Sequence, residues 1–194
     1  QKKEKKFFYN QLTLHIYNEK IVNTKIFNNG KIQMTGVKNI DQGKRVANIF
    51  LEKLTSLSTE DKEVILDNLD TKITKYKVAL INSDFSIGFK INRELLHRTV
   101  VEMNYYSSFE PSIYPGVNIK YYYNEIDVNC GVCNCLKQCN GKGKDGCCKK
   151  ITIAVFNSGN VIITGGNSFN QLITAYNFIN NLVVEKKNVL MIND

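Results

Sequence analysis

One stretch of this chain occurs twice. Thr24-Lys25-Ile26-Phe27-Asn28-Asn29-Gly30-Lys31-Ile32-Gln33-Met34-Thr35-Gly36 matches Ile153-Ala154-Val155-Phe156-Asn157-Ser158-Gly159-Asn160-Val161-Ile162-Ile163-Thr164-Gly165 at an offset of 129 positions without a gap. Phe, Asn, Gly, Thr and Gly recur in register. A repeated unit constrains the fold strongly, because both copies must solve one packing problem. Each copy reads as a hairpin, two β-prone runs joined by Asn-Asn-Gly or Asn-Ser-Gly. Gly30 and Gly159 are expected to supply the positive φ of the turn.

Period-two alternation sorts the faces. In the first copy Ile26, Ile32 and Met34 point one way, and Lys25, Phe27, Lys31, Gln33 and Thr35 the other. In the second copy Val155, Val161 and Ile163 share the covered face. Ala154, Phe156, Asn160, Ile162 and Thr164 share the opposite one. If helices covered both faces, Phe27 and Phe156 would be core aromatics. Lys31, Gln33 and Thr35 would then be buried without assigned partners, so an exposed sheet face is the better account of the first copy.

A helix is predicted after each hairpin. The first spans about Asp41 to Leu54, with Val46, Ile49, Phe50 and Leu54 at helical spacing and Asp41 in the cap region. The second spans about Ser168 to Leu182, with Ser168 as N-cap and a stripe of Leu172, Ala175, Tyr176, Ile179 and Val183. Helices on one side then cover the Ile/Val/Met face of a sheet, an α+β arrangement. A second match, Tyr9–Tyr17 against Tyr114–Tyr122, has an offset of 105. The two offsets differ by 24, so the second copy carries an insertion of that length between two strands.

Upstream of the second copy, Lys77 to Phe89 reads as a strand broken near Asn82-Ser83-Asp84, and Asn92 to Val101 as a helix with Leu95, Leu96 and Val100 inward. The first copy shows no counterpart of either. The chain also opens at Gln1 without an initiator Met, so an upstream segment is expected. Asp61 to Leu69 reads as a short helix or a polar connector. The expected organisation is a half-repeat plus connector over 1–70 and a half-repeat over 71–194, with a cysteine-rich insertion at 124–150.

All six cysteines fall in that insertion: Cys130, Cys133, Cys135, Cys139, Cys147 and Cys148. A disulfide-stapled secreted domain would tie distant segments instead. Local clustering points to a structural zinc knuckle in a reducing compartment, with Cys130-x2-Cys133 at standard spacing. Six thiols exceed one mononuclear site, so either two are spare or two ions share ligands. An iron–sulfur cluster, disulfides or a redox sensor are the alternatives. His15 and His97 lie far off in sequence and read as ordinary strand and helix residues. A closed thiolate site is structural rather than catalytic.

Lys plus Arg number 26 against 18 Asp plus Glu, a formal charge of +8. That excess favours a polyanionic partner. Lys137, Lys142, Lys144, Lys149 and Lys150 make the insertion itself basic, suited to phosphates or to a protein partner. No uninterrupted apolar run of about 18 residues predicts a membrane span. The glycines punctuate hairpins and form no phosphate-binding fingerprint, and Asp84, Glu94, Glu102 and Glu110 are scattered, so an enzyme is not expected.

Phe27-Asn28-Asn29-Gly30-Lys31 with Thr35-Gly36, and Phe156-Asn157-Ser158-Gly159 with Thr164-Gly165, resemble the paired hairpins of the TATA-box-binding protein family. The run Ser107-Ser108-Phe109-Glu110-Pro111-Ser112-Ile113-Tyr114-Pro115-Gly116 is similar to the stretch before a central strand of that family's second half. The likeness covers most of 9–54 and 77–184. Its divergence and its cysteine insertion suit a remote, viral member.

The resemblance implies a saddle of two pseudo-symmetric halves, one curved antiparallel sheet with helices on its convex face. The concave face would sit in the minor groove of AT-rich promoter DNA, with aromatic wedges kinking the duplex. Phe27 and Phe156 match one wedge in each half, Tyr114 the second wedge of the C-terminal half, and Tyr9 its counterpart, with Phe8 competing. Thr35 and Thr164 match threonines near the base edges, Ile162 a groove-lining residue and Lys31 a phosphate contact. Lys25 and Gln33 replace aliphatic groove residues, Asn160 replaces a lysine, and Val78 falls near a central asparagine of the family. Ala154 lies on the same face. Implied partners are the B-type general initiation factor and RNA polymerase subunits. The implied setting is the nucleus or a cytoplasmic viral factory, with packaging in the virion a further option. Two other functions fit the same residues: a protein-binding transcription scaffold with weak TATA specificity, and an RNA-binding module whose aromatics stack on bases.

Overall fold

In a computed structural model, the described residues are 10–60, 71–126, 130–136, 139–142 and 148–192. The chain divides into two compact units, Gln1–Lys77 and Val78–Asp194.

The first unit holds β1 (Gln11–Asn18), β2 (Lys20–Phe27), β3 (Ile32–Thr35) and α1 (Ile40–Glu60). Its antiparallel sheet has the order β1-β2-β3, and Lys25 stands opposite both Thr13 and Gln33. Val22 and Thr24 are fully buried, as are Val46, Ala47 and Phe50 of α1. Each large apolar side chain so buried contributes about 1.5–3 kcal/mol. The helix is capped by Asn39, whose Oδ1 accepts from Gln42 N at 2.8 Å. Asp41 instead lies within the first turn, where its charge meets the positive end of the helix. The helix also runs past Leu54. Thr55 and Ser58 donate their hydroxyls to the carbonyls of Leu51 and Leu54, so these polar residues join the helix instead of ending it. The reading of Asp61–Leu69 lies outside the described residues.

The second unit runs β4 (Ile81–Ser86), α2 (Arg93–Glu102), β5 (Tyr106–Ser108), β6 (Val117–Tyr123), β7 (Lys149–Val155), β8 (Asn160–Gly166), α3 (Phe169–Glu185) and α4 (Lys187–Leu190). The antiparallel sheet has the order β4-β8-β7-β6-β5. Strand β4 is shorter than the expected 77–89, and its pairing with β8 shifts register between Ile81 and Ser83. Asn92 caps α2 by accepting from Leu95 N at 3.1 Å. Ser168 stands at the cap of α3 in extended geometry but makes no side-chain cap bond. Tyr176, expected inward, is 40% exposed and meets Phe85 edge-on, while Leu182 takes the buried place. The core lies between one sheet face and α2 and α3, with Ile119, Ile153 and Ile163 facing Leu96, Val100 and Ile179.

The repeat holds in three dimensions. Leu14 pairs with Thr24 as Ile119 pairs with Ile153, so both offsets are kept in the strand register. It continues into the helices. Gln42 Oε1 accepts from Lys38 N at 2.8 Å, and Gln171 Oε1, 129 positions on, accepts from Asn167 N at 2.9 Å. Val46 and Phe50 are buried like their counterparts Ala175 and Ile179. Glu19 alone, at φ 62°, joins β1 to β2, whereas residues 124–148 join β6 to β7. No described helix is long and apolar enough to cross a membrane.

Candidate nucleic-acid interface and thiolate centre

The turn chemistry that builds the hairpins also sets their aromatic residues. Gly30 N donates to Phe27 O and Phe27 N to Lys31 O, each at 2.9 Å. Gly159 N donates to Phe156 O and Phe156 N to Asn160 O, again at 2.9 Å. Gly30 and Gly159 take φ of 76° and 84°. This is a three-residue loop ending in a left-handed glycine, which places one phenylalanine at the end of β2 and the other just past β7. Both rings are half-exposed; neither is sealed under a helix.

In the second unit Phe156 has a partner. The Tyr114 ring meets it at 5.8 Å between centroids, with 61° between planes. A Cβ on Gly116 would come within 2.9 Å of Tyr114 and 3.2 Å of Phe156, so the bare backbone there admits the pair. The Arg93 guanidinium donates to Pro115 O and sits 5.2 Å from the centre of the Phe109 ring, holding this corner. In the first unit Phe27 pairs across the ladder with Gln11. Tyr9 lies outside the described residues.

The remaining open-face residues form cross-strand rows. One row of the second unit is Asp84, Ile162, Ala154, Asn118 and Ser108; the next is Asn82, Thr164, Thr152, Lys120 and Tyr106. Asp84, Ile162 and Asn160 are exposed, and Thr164 is half-buried. Ala154 is on the expected face but only 4% exposed, because its methyl is too short to rise between Ile162 and Asn118. In the first unit Gln33, Thr35 and Lys31 are exposed and Lys25 is half-buried. Thr35 shares its row with His15 and Asn23, whose side chains meet at 3.2 Å.

Sequence reasoning missed several members of this face. Asn82 accepts from the Thr164 hydroxyl, whereas Val78 lies in no strand. Asn82 continues the register in which Asp84 faces Ile162, two residues further along each strand, and so stands opposite Thr164. Asn118 and Lys120 were readable, since they alternate with the buried Val117, Ile119 and Tyr121. Lys120 Nζ donates to Thr152 Oγ1 at 3.0 Å. Burial, and then the neighbouring charge of Lys150, lower its pKa below the ordinary lysine value.

The insertion brings four of its cysteines together. The Sγ atoms of Cys133, Cys135, Cys139 and Cys148 all lie within 4.8 Å of one another, a set that can hold a metal ion. Cys133 and Cys139 are 3.1 Å apart, and Cys135 and Cys148 3.5 Å. These separations are too long for disulfides, whose bond is about 2.05 Å. A hydrogen bond from the Cys135 backbone and another from Cys139 bring the Cys133 thiol down to about 7. Burial pushes the Cys148 thiol up. Cys130 is not part of the group, despite its standard spacing from Cys133. Gly131, at φ 65° under the rings of Tyr121 and Tyr105, accepts from Tyr122 N and so is tied to β6. Cys130 is left bonding Asn134 and Val132 O. Cys147, Lys137 and Lys144 lie outside the described residues.

No protein-family model matches the chain. A TATA-box-binding protein-like protein of Acanthamoeba polyphaga mimivirus is 29% identical over a match covering 87% of this chain. The chain spans about half, 46%, of that protein's length. Among solved structures, Methanococcus jannaschii TBP superposes with a TM-score of 0.53 at 21% identity, over 91% of this chain and 79% of that one. By these measures the chain is a distant sequence relative of a TATA-box-binding protein-like protein and resembles Methanococcus jannaschii TBP in fold.

Proposed function

We propose that this chain is a divergent TATA-box-binding protein that binds AT-rich promoter duplexes in the minor groove and bends them during transcription initiation. In this reading the two units are half-repeats, over about 1–70 and 71–194, whose sheets join into one saddle with helices on the convex side. Phe27, Phe156 and Tyr114, with Tyr9, act as wedges that unstack base steps. Lys25, Lys31, Gln33, Thr35, Ala154, Asn160, Ile162 and Thr164 line the groove. Zinc is the ion assigned to the thiolate centre, in a structural role. The B-type general initiation factor and RNA polymerase subunits are the proposed protein partners. The nucleus or a cytoplasmic viral factory is the proposed setting. The function is one of binding, not catalysis.

The observation that carries this reading is the Tyr114–Phe156 ring pair at the end of a polar, uncovered sheet face. Neither ring belongs to the described core, and their edge-to-face contact orients them against one another. The test is a fluorescence-transfer bending assay on a panel of AT-rich duplexes labelled at both ends. Wild type is expected to shorten the end-to-end distance, and the Phe27→Ala/Phe156→Ala double variant to lose that shortening. Equal bending by both proteins would remove the wedge role.

A second reading is a transcription scaffold that keeps the sheet but engages proteins. It is favoured by the exposed carboxylate of Asp84 on the open face and by the Lys25–Gln33 pair, which replaces dry groove contacts. Duplex affinity unchanged between low and moderate salt, or no duplex binding at all, would favour it.

A further inference from the structure

Resting on the zinc assignment above, we propose that Cys133, Cys135, Cys139 and Cys148 bind one zinc ion, and that this ion fixes Lys150 and Lys142 beside the open face as a phosphate-binding edge. A tetrahedral zinc site with Zn–S bonds of about 2.3 Å needs sulfur–sulfur separations of about 3.8 Å. The four Sγ atoms already lie within 4.8 Å of one another, so small side-chain rotations complete the shell. Cys139 and Cys148 are buried and Cys133 and Cys135 partly so, which leaves a closed site with no position for substrate. With Cys130 engaged by Asn134, four ligands for one ion are supplied by the described residues.

The site is tied to the sheet at three points. Cys148 immediately precedes β7. Tyr122 N donates to Gly131 O, and Lys150 N to Gly141 O, both at 2.8 Å. Tyr122 and Lys150 are cross-strand partners of open-face parity. The Gly141 turn lies directly against them, since a Cβ there would fall 2.5 Å from Lys150 Cβ and 3.2 Å from the Tyr122 ring. Lys142 bridges to Lys149 from the same turn. Lys142 and Lys150 are both exposed. An ion that closes the insertion therefore also sets the place of these ammonium groups. Without it, a glycine-rich segment with few apolar residues has little to order it.

The test begins with protein purified under reducing conditions. One equivalent of zinc is expected, and cobalt(II) replacement should give a tetrahedral thiolate spectrum saturating at one equivalent. Cys130→Ser should retain that equivalent, while Cys135→Ser and Cys148→Ser lose it. Binding of an AT-rich duplex is then followed against salt. In zinc-loaded protein, Lys142→Ala/Lys150→Ala should reduce the slope of log affinity on log salt by about two, roughly one per lost phosphate contact. Removing zinc from wild type should reproduce that loss. Zero or two equivalents, or loss of metal in Cys130→Ser, overturns the single-ion site. An unchanged slope in the lysine variant overturns the phosphate edge while leaving duplex binding intact. Failure of loaded wild type to bind any duplex sinks the DNA-binding reading, and the phosphate edge with it.

Discussion

Tyr114 and Phe156 come from segments 42 positions apart in sequence, yet their rings meet edge-to-face at 5.8 Å. Each ring limits the other's rotation, so the pair is pre-organised before any partner arrives. Edge-to-face pairs contribute about 0.5–1.5 kcal/mol beyond simple burial. Phe156→Ala is therefore expected to cost modest stability, about 1–2 kcal/mol because the ring is only half-buried, and to abolish bending at that end. Tyr114→Phe should keep both properties. Denaturant unfolding and the bending assay separate the two effects, and a Phe156→Ala protein that still bends DNA fully would deny the ring its role.

Gly30 and Gly159 share one backbone conformation, but their surroundings differ. A Cβ at Gly30 meets nothing within 4 Å, whereas one at Gly159 would lie 2.1 Å from Phe89 O. Gly30→Ala should cost only the left-handed strain, about 1–2 kcal/mol. Gly159→Ala should cost clearly more, because the backbone at Phe89 must move. Urea midpoints of the two variants check this, and equal losses would mean that the second turn is not seated as described.

The paired glutamines make a third comparison. Gln42 and Gln171 each use Oε1 to hold the backbone N–H four residues earlier, and Gln42 Nε2 also donates to Asn18 O at 2.7 Å. Gln42→Ala leaves two part-buried groups without that partner and Gln171→Ala one. At about 1 kcal/mol per lost bond, Gln42 is the costlier site. Hydrogen exchange at Lys38 and Asn167 should accelerate in the respective variants.

Lys120 is held below its ordinary pKa first by burial and then by Lys150. A depressed lysine disfavours its own charged form in the fold. That penalty is present at neutral pH and is relieved as pH rises through the lowered value toward the ordinary one. Lys120→Met should therefore raise the unfolding midpoint at pH 7 and weaken duplex binding. A variant that loses stability would show that the Thr152 hydrogen bond outweighs the burial of charge.

Much of this molecule is legible in its amino-acid order, because the repeat sets relations that are local in each copy. The hairpin turns, the side that Phe27 and Phe156 take, and the position of the insertion all follow from spacing. What spacing does not show rests mostly on how a residue's neighbours are placed in three dimensions. Asp41 and Asn39 are both able caps, and Asn39 takes the role by accepting from Gln42 N. Asn82 has the parity of Asp84, but Asn82-Ser83-Asp84 reads as a break, and pairing with β8 carries the strand through it. Cys130 has the spacing of a knuckle ligand, but its sulfur meets Asn134 and Val132 O and lies outside the four-thiol group. Ala154 has the right parity, yet its neighbours are taller.

The joint between β1 and β2 is Glu19, and the matching joint between β6 and β7 is residues 124–148. Lengthening a connection outside the packed core costs little in closure entropy, so this corner is where the architecture tolerates growth. Growth at one corner alone also makes the two units chemically unlike. There the first unit offers a partner a single-residue bend, and the second a four-thiol group beside the exposed Lys142 and Lys150.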